Sequence, residues 1–353
     1  MTDASPDMMA KRVVRWNRYG LIGLAALSGW FLAARPDDAQ KAAAERFQAY
    51  LKQHPEADKN GDGVLTQPEW FDHYAKTDKA KFVADNARRL RLLEDLTYAK
   101  VDGRELKLDL YLPTDAKNPP LVVWIHGGGW HSGNKDWSIV RWLAADGYAL
   151  ASVQYRLSDE ADFPAQIHDC KAALRWLRAY ASEHGYDATR LAVLGESAGG
   201  HLAALLGVSA GVQPLEGEVG DHDEQPTRVS AVVDFYGPTD LPRYIARHGY
   251  IDALQKLFGK PAAEAGSIAE LASPVTHVTP DDAPILILHG TADTLVPLDQ
   301  STVLHERYQQ AGVESRLVVI DGAAHTGPKF VDSERRQMIK AFLHRHLSST
   351  VTQ

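Results

Sequence analysis

Short runs of apolar residues recur along the chain and alternate with segments of helical patterning. The runs lie at 121–126, 148–153, 191–195, 229–235, 285–289 and 316–320. Continuous apolar runs of this length are typical of strands buried on both faces, because neither face of such a strand meets water. Their alternation with helices predicts an α/β fold, in which a mostly parallel sheet carries helices on both faces. Residues 108–112 alternate in character and predict an antiparallel strand near the start of the sheet.

The segment Gly195-Glu196-Ser197-Ala198-Gly199 lies between one of these runs and a helix-like run at 201–206. It matches the G-x-S-x-G pattern of a nucleophile elbow, in which a sharp strand-to-helix turn exposes the serine hydroxyl above the sheet. The helix that begins there directs N–H groups and the positive end of its dipole toward developing negative charge. The pattern predicts Ser197 as a nucleophile, although a plain strand–helix turn matches the same short motif.

A glycine run follows the strand predicted at 121–125. It reads His126-Gly127-Gly128-Gly129, and bare glycine backbone lets amides approach a ligand closely. This is the H-G-G-G form of an oxyanion hole, and a flexible glycine loop is the alternative interpretation.

Two candidate catalytic side chains follow buried strands later in the chain. Asp293 comes after the run at 285–288, and His325 comes after 317–320. A serine hydroxyl needs a base to remove its proton, histidine titrates near neutrality, and a carboxylate holds the imidazole in the required tautomer. The order serine, aspartate, histidine is that of an α/β-hydrolase triad. Asp321 also follows a strand, but Asp293 lies on the preceding strand's loop, where the acid of this fold is expected.

Together these motifs resemble the H-G-G-G branch of the α/β-hydrolases, the hormone-sensitive-lipase-like carboxylesterases, over residues 96–347. A narrower similarity, to bacterial esterases that remove acetyl or feruloyl groups from plant xylan, rests on the stretches 101–113, 154–158, 216–220 and 234–241. The resemblance implies Ser197 as nucleophile, Asp293 as orienting acid and His325 as general base. It also implies that the oxyanion donors are the amides of Gly128, Gly129 and Ala198.

The function implied by this resemblance is hydrolysis of a carboxylic ester, linked to plant polysaccharide, through an acyl-enzyme that needs no metal for catalysis. Two other classes stay open at this point: an α/β-hydrolase peptidase and a non-catalytic, calcium-dependent interaction protein. Several neighbouring residues are expected to be structural. His126 would brace the glycine loop, Arg156 would pair with Asp169, and Glu196 would be a packing or solvent position.

Residues 58–69 match the twelve-residue EF-hand loop pattern. Gly63 supplies the sharp turn at the sixth position, and hard oxygen ligands at this spacing suit Ca²⁺. The predicted ligands are the side chains of Asp58, Asn60, Asp62 and Glu69, the carbonyl of Val64, and Thr66 through water. An Asp/Asn/Gly-rich surface turn is the alternative. Helix-like flanks at 41–52 and 70–91 accompany the loop, and the sequence shows no second clear loop to pair with it.

The start of the chain has a basic run at 11–18, followed by an apolar stretch at 21–34. About fourteen apolar residues suit a signal-peptide core, whereas a membrane-spanning helix needs ~20. Because the cleavage signal is poor, a retained membrane anchor stays open, as does a buried helix. Either targeting segment predicts export to the periplasm or the extracellular space, where millimolar calcium fills even a weak site.

We therefore expect a leader or anchor at 1–36, an EF-hand-like helical module at 37–92 and a catalytic domain at 93–350, with a short charged linker near 88–95. The 353 residues carry a net charge of −8, so the chain has no basic surplus for binding nucleic acid. Its one cysteine, Cys170, rules out an internal disulfide.

Overall fold

The computed structural model describes residues 47–348. The chain divides into two compact units between Trp70 and Phe71. The predicted leader at 1–36 lies outside the described residues. Within 47–348, the helices are all too short or too polar to cross a bilayer.

The smaller unit contains a helix at 47–53 (α1), a 3-10 turn at Pro55–Ala57 and the loop that carries the EF-hand pattern. Phe47, Ala57 and Leu65 are buried and form a small apolar cluster with three partly buried neighbours, Tyr50, Leu51 and Trp70. The loop residue Leu65 therefore anchors the loop through its side chain while the polar residues around it face outward.

The larger unit is built on one eight-stranded sheet with strand order β1-β2-β4-β3-β5-β6-β7-β8. The strands are β1 Leu90–Val101, β2 Arg104–Pro113, β3 Pro120–Ile125, β4 Ala149–Val153, β5 Asp187–Glu196, β6 Ala231–Phe235, β7 Ile285–Gly290 and β8 Ser315–Ile320. Strand β2 pairs antiparallel with β1 and β4, and all other pairs are parallel. The predicted α/β fold, with a mostly parallel sheet and an antiparallel strand near its start, is confirmed.

Helices lie on both faces of this sheet. The helices that follow α1 along the chain are α2 Gln67–Asp85, α3 Trp142–Ala145, α4 Ala165–Ala179, α5 Ala181–His184, α6 Ala198–Val208, α7 Gln213–Glu216, α8 Leu241–His248, α9 Asp252–Phe258, α10 Gly266–Leu271, α11 Pro274–His277, α12 Asp299–Ala311 and α13 Ser333–Leu347. Successive strand residues point to opposite faces, so Val123 joins the cluster that contains α4 and α6, and Trp124 joins the cluster that contains α13. Strand β3 is thus buried on both sides, as its apolar run requires.

Strand β1 replaces the linker expected near 88–95. It forms a hairpin with β2, from the pair Leu90 and Pro113 to the pair Val101 and Arg104. The register shifts between Leu93 and Leu96, where a bulge interrupts the ladder. The bulge contains Glu94 and Asp95, which interrupt the alternation of apolar residues. This interruption hides the strand from the sequence pattern. The helix expected at 70–91 ends earlier, at Asp85, because the chain enters β1 at Leu90.

A buried ionic network attaches the C-terminal part of α2 to the sheet. The Nζ of Lys79 lies 2.6 Å from Asp109 Oδ2 and 2.8 Å from Asp136 Oδ1, and it also pairs with Glu94. Lys135 contacts the other oxygen of the fully buried Asp109 at 2.9 Å. Residues 71–92, which the sequence placed in the small module, therefore belong to the larger unit.

Candidate active site

Ser197 occupies a tight turn between β5 and α6. Its backbone has φ 53° and ψ −119°, and its amide donates to Phe235 O at 2.8 Å. A side chain at positive φ is strained, which is common at functional sites. The flanking glycine makes the turn feasible, because a Cβ on Gly199 would lie 2.1 Å from Ile125 O. The glycine pattern of the elbow thus has a steric cause: the turn is pressed against the end of β3.

The structure brings Ser197, His325 and Asp293 together at hydrogen-bonding distance. The Nε2 of His325 is 2.8 Å from Ser197 Oγ, and its Nδ1 is 2.7 Å from Asp293 Oδ2. His325 comes from the loop after β8 and is only 8% exposed, and the Asp293 side chain is fully buried. In this arrangement the hydroxyl can donate to Nε2 while Nδ1–H donates to the carboxylate.

The loop after β7 fixes the Asp293 carboxylate. Its Oδ1 accepts from the amides of Leu295 and Val296 at 2.9 and 3.0 Å. Burial raises the pKa of Asp293, but hydrogen bonds from His289 and His325 outweigh burial and hold it well below its usual range. Asp293 is therefore ionised at neutral pH. Its rival from the sequence, Asp321, is exposed and accepts from Thr291 Oγ1 at 3.2 Å.

The glycine loop after β3 lies beside the elbow. A Cβ on Gly127 would be 3.4 Å from Ser197 Cβ, and both Gly128 and Gly129 have positive φ, 111° and 58°. Ala198 is the first residue of α6, so its amide has no acceptor within the helix. The three amides expected to hold an oxyanion are those of Gly128, Gly129 and Ala198, and the structure places them on the two segments that flank the serine.

His126 and Arg156 have the structural roles expected of them. His126 is fully buried, its Nδ1 is 2.8 Å from Gly127 O, and its ring stacks on Tyr155 at 4.4 Å. Burial lowers the pKa of His126 to about 4, so its imidazole is neutral. Arg156 pairs with the buried Asp169 through Nε and Nη2.

Glu196 occupies a packing position, one of the two alternatives that the sequence offered, and it accepts hydrogen bonds that the sequence did not indicate. It is buried beside the serine and accepts hydrogen bonds from Trp137 Nε1 and, at 2.8 Å, from Tyr236 OH. Burial raises the pKa of Glu196, and these two donors oppose that rise. The Tyr236 ring lies 4.8 Å from the His325 ring. A buried carboxylate next to the nucleophile thus supports one wall of the site through the Tyr236 side chain.

His289 is a residue of the site that the sequence did not single out. It lies on β7, is fully buried, and contacts Asp293 Oδ2 through Nε2 at 3.2 Å. The signal for it was its position at the end of an apolar strand, four residues before the carboxylate.

The segment at 244–273, between β6 and β7, contains most of α8 together with α9 and α10. Tyr244 OH donates to Leu295 O at 2.9 Å, on the loop that carries the triad carboxylate. Ala253 Cβ is 3.6 Å from where a Cβ on Gly129 would lie. These contacts place the segment at 244–273 against both the glycine loop and the loop that carries Asp293.

In the loop at 58–69, side-chain oxygens accept from nearby backbone amides. Asp58 accepts from the amides of Gly61 and Gly63 at 2.8 Å each, and Asp62 Oδ1 accepts from Val64 N at 2.8 Å. The closing residue Glu69 accepts from the Thr66 amide and hydroxyl at 3.0 and 2.6 Å. A carboxylate oxygen has lone pairs beyond one such bond, so this oxygen-rich loop fits a hard cation. Asn60 Oδ1 accepts from Asp62 N at 2.8 Å, so the Asn60 side chain belongs to the same set of hydrogen bonds within the loop.

The sheet, the elbow and the Ser–His–Asp arrangement define the class: an α/β-hydrolase with a serine triad. Within this class the chain belongs to the BD-FAE family, whose model matches residues 108–308, more than half of the chain. The match includes the glycine loop, the elbow and Asp293, and the loop at 58–69 lies outside it.

Similar proteins are esterases by name. The probable carboxylic ester hydrolase LipM of Mycobacterium tuberculosis is 34% identical over 225 residues, which are 61% of this chain and 51% of that protein. The chain spans about half the length of the curated relatives it matches. Among solved structures, a truncated carbohydrate esterase from gut microbiota is 31% identical with a TM-score of 0.69, covering 74% of this chain and 98% of the other. The propionate-bound esterase Est2 of Thermogutta terrifontis is 29% identical with a TM-score of 0.60, covering 72% and 96%.

Proposed function

We propose that this protein is a serine carboxylic ester hydrolase that acts through an acyl-enzyme. The observation that carries the proposal is the continuous hydrogen-bonded chain from Ser197 Oγ through His325 to Asp293, built at the elbow of an α/β-hydrolase sheet. The names of the similar proteins, all carboxylic ester hydrolases or esterases, support the same reaction class.

In the first step Ser197 Oγ attacks the ester carbonyl carbon while His325 Nε2 takes the hydroxyl proton. Negative charge develops on the carbonyl oxygen, and the amides of Gly128, Gly129 and Ala198 are the donors we assign to it. The protonated imidazole then gives its proton to the leaving alcohol, and the carbon–oxygen bond of the ester breaks. An acyl group remains on the serine.

In the second step a water molecule attacks the acyl-enzyme after His325 removes its proton. The serine oxygen leaves as the hydroxyl, and the carboxylic acid is released. Through both steps the ionised carboxylate of Asp293 keeps the Nδ1 proton in place and stabilises the imidazolium. The buried setting strengthens this attraction, because few water dipoles screen it.

We propose further that the ester is an acetyl or feruloyl group carried by plant polysaccharide. The support is the similarity to the gut carbohydrate esterase, which aligns over 98% of its length, and the stretches at 101–113 and 234–241 that resemble xylan esterases. A short acyl group is also consistent with the similar esterase Est2, whose structure has propionate, a short carboxylate, bound.

The experiment is a substrate panel of para-nitrophenyl acetate, longer acyl esters, methyl ferulate and acetylated xylan, with Ser197→Ala as the control. Serine-dependent release of acetate or ferulate from the carbohydrate is the expected result. Activity confined to the small esters would contradict the polysaccharide assignment and leave a general carboxylesterase. Cleavage of aminoacyl anilides without esters would point to a peptidase, and no serine-dependent activity at all would indicate a binding module.

We also propose that the loop at 58–69 binds Ca²⁺ as a structural ion. Its oxygen-only donor set and its two left-handed glycines, Gly61 and Gly63, support this assignment. The residues that would hold the ion are Asp58, Asn60, Asp62, Val64, Thr66 and Glu69. The triad chemistry requires no metal, so the ion would brace the small unit.

We propose in addition that the protein is exported, on the basis of the basic and apolar segments at 11–34. Cell fractionation with an antibody to the catalytic unit tests this. We expect recovery from the periplasm, the membrane or the medium, and recovery from the cytosol would contradict it.

A further inference from the structure

A second imidazole, that of His289 on β7, lies next to the Asp293 carboxylate. His289 Nε2 lies 2.8 Å from Val296 O and 3.2 Å from Asp293 Oδ2. A carbonyl oxygen can only accept a hydrogen bond, so Nε2 must carry the proton. That N–H donates to Val296 O, and Nε2 also lies next to the carboxylate oxygen that His325 Nδ1 contacts at 2.7 Å. Two imidazoles therefore converge on one oxygen of the triad acid.

The other nitrogen of His289 is also held. Its Nδ1 lies 2.6 Å from the hydroxyl of Ser301, on α12, and both side chains are fully buried. A serine hydroxyl can donate to a bare Nδ1, so a neutral imidazole satisfies both contacts at once. With both ring nitrogens bonded, the orientation of His289 is set independently of the triad.

We propose that His289 is a positioning residue for the triad acid. With its polar Nε2–H 3.2 Å from Asp293 Oδ2, it restrains the rotation of the carboxylate and weakens the attraction of that oxygen for the Nδ1 proton of His325. This inference rests on the proposed serine-hydrolase function. Its consequence is an acid limb of kcat/KM that lies at lower pH than it would with one imidazole beside the carboxylate.

The electrostatics of Asp293 agree with this geometry. Burial raises the pKa of the carboxyl, and the hydrogen bonds from His289 and His325 together more than reverse that rise. The carboxylate is therefore ionised throughout the working range, so His289 acts on its strength as an acceptor and leaves its ionisation unchanged.

Other charged or titratable groups face this cluster from neighbouring strands. Glu196, at the end of β5, and Tyr236, after β6, lie on the His325 side. Asp234, on β6, interacts electrostatically with His289, and burial raises the pKa of Asp234 to about 6. All three are unchanged in variants of His289, so a difference between those variants and the wild type isolates the second imidazole.

The test is the pH dependence of kcat/KM for para-nitrophenyl acetate with full-length His289→Phe, which keeps an aromatic ring but has no N–H. We expect kcat to fall on the order of tenfold with KM within about twofold. We also expect the acid limb to move to higher pH by about 0.5 to 1 unit. Without the second imidazole, the carboxylate interacts more strongly with the protonated triad, and the loss of one such contact is a modest change in free energy.

Two further variants control for structural effects. His289→Gln retains an amide N–H at the position of Nε2 and should keep the acid limb close to that of the wild type. Ser301→Ala removes the partner of Nδ1 but leaves the Nε2 donor, so its limb should also stay in place. An unmoved limb in His289→Phe, or an equal shift in Ser301→Ala, would overturn the proposal.

A measurement on the wild type decides the point if His289→Phe does not fold. Long-range ¹H–¹⁵N correlation reports which ring nitrogen carries hydrogen, and we expect a protonated Nε2 on His289 at neutral pH. An unprotonated Nε2 would overturn the inference. If the wild type shows no Ser197-dependent hydrolysis, the proposed function fails by itself, and this correlation still shows whether Nε2 of His289 carries the proton that the interaction with Asp293 requires.

Discussion

The loop at 58–69 and the catalytic edge of the sheet both contain motifs that the sequence displays, but their polar groups are assembled differently. In the loop, Asp58 and Asp62 accept from amides two to five residues away. At the catalytic edge, His325 bonds to partners 32 and 128 residues away, on different strands' loops. Local turn chemistry is sufficient for the first geometry, whereas the second depends on the register and burial of the whole sheet.

The largest expected effect is the loss of the nucleophile at the assembled site. Ser197→Ala removes one oxygen atom from a half-buried position and should leave the Tm unchanged while lowering kcat by about 10⁶-fold. Hydrolysis of para-nitrophenyl acetate together with thermal unfolding measures both. Turnover within tenfold of the wild type would show that this serine is not the nucleophile.

The buried ionic network tests whether α2 belongs to the assembled part of the molecule. Lys79→Met removes a cation that three carboxylates share, and it leaves the fully buried Asp109 with one cationic partner, Lys135. We expect unfolding in urea to show a loss of about 3 kcal/mol.

Lys81→Met, on the same helix, is the matched control. Lys81 is exposed and pairs only with its i+4 neighbour Asp85, so we expect no measurable change. Equal effects of the two variants would place α2 outside the stable unit.

Glycine substitutions contrast tertiary crowding with local conformation. Gly199→Ala would bring a Cβ to 2.1 Å from the backbone of β3, so we expect a loss of about 2 to 3 kcal/mol and of activity. Gly63→Ala meets nothing within 4 Å, and its cost should be only that of φ +77°, about 1 kcal/mol. Urea unfolding of both variants gives the comparison, and a costlier Gly63→Ala would reverse it.

The last prediction concerns calcium, whose expected effect is small. At a concentration about tenfold above Kd, Ca²⁺ should stabilise the protein by about 1.4 kcal/mol and raise the Tm by a few degrees. Glu69→Gln should remove this response, and Glu105→Gln, which changes an exposed carboxylate on β2, should retain it. If millimolar calcium leaves the wild-type melting curve unchanged, the loop is a turn without a metal.

Some features of this fold were visible in the sequence for clear physical reasons. Strands β3 to β7 each contain an apolar run, because the interior of a doubly covered parallel sheet has no polar face, whereas the edge strand β8 is only partly buried. Strand β1 was missed, since its bulge inserts Glu94 and Asp95 into the pattern. The sequence also indicated the three side chains that the structure brings into hydrogen-bonding distance, because each follows a strand at the same edge of the sheet.

The sequence by itself determined the class of fold, the elbow and the oxygen-rich loop, since these depend on local periodicity, glycine conformation and contiguous spacing. Only the tertiary structure decided which aspartate meets His325, that Glu196 is buried between Trp137 and Tyr236, and that His289 Nε2 lies 3.2 Å from Asp293. The physical reason is that hydrogen bonds between distant segments depend on strand register and helix packing, which single residue types do not encode.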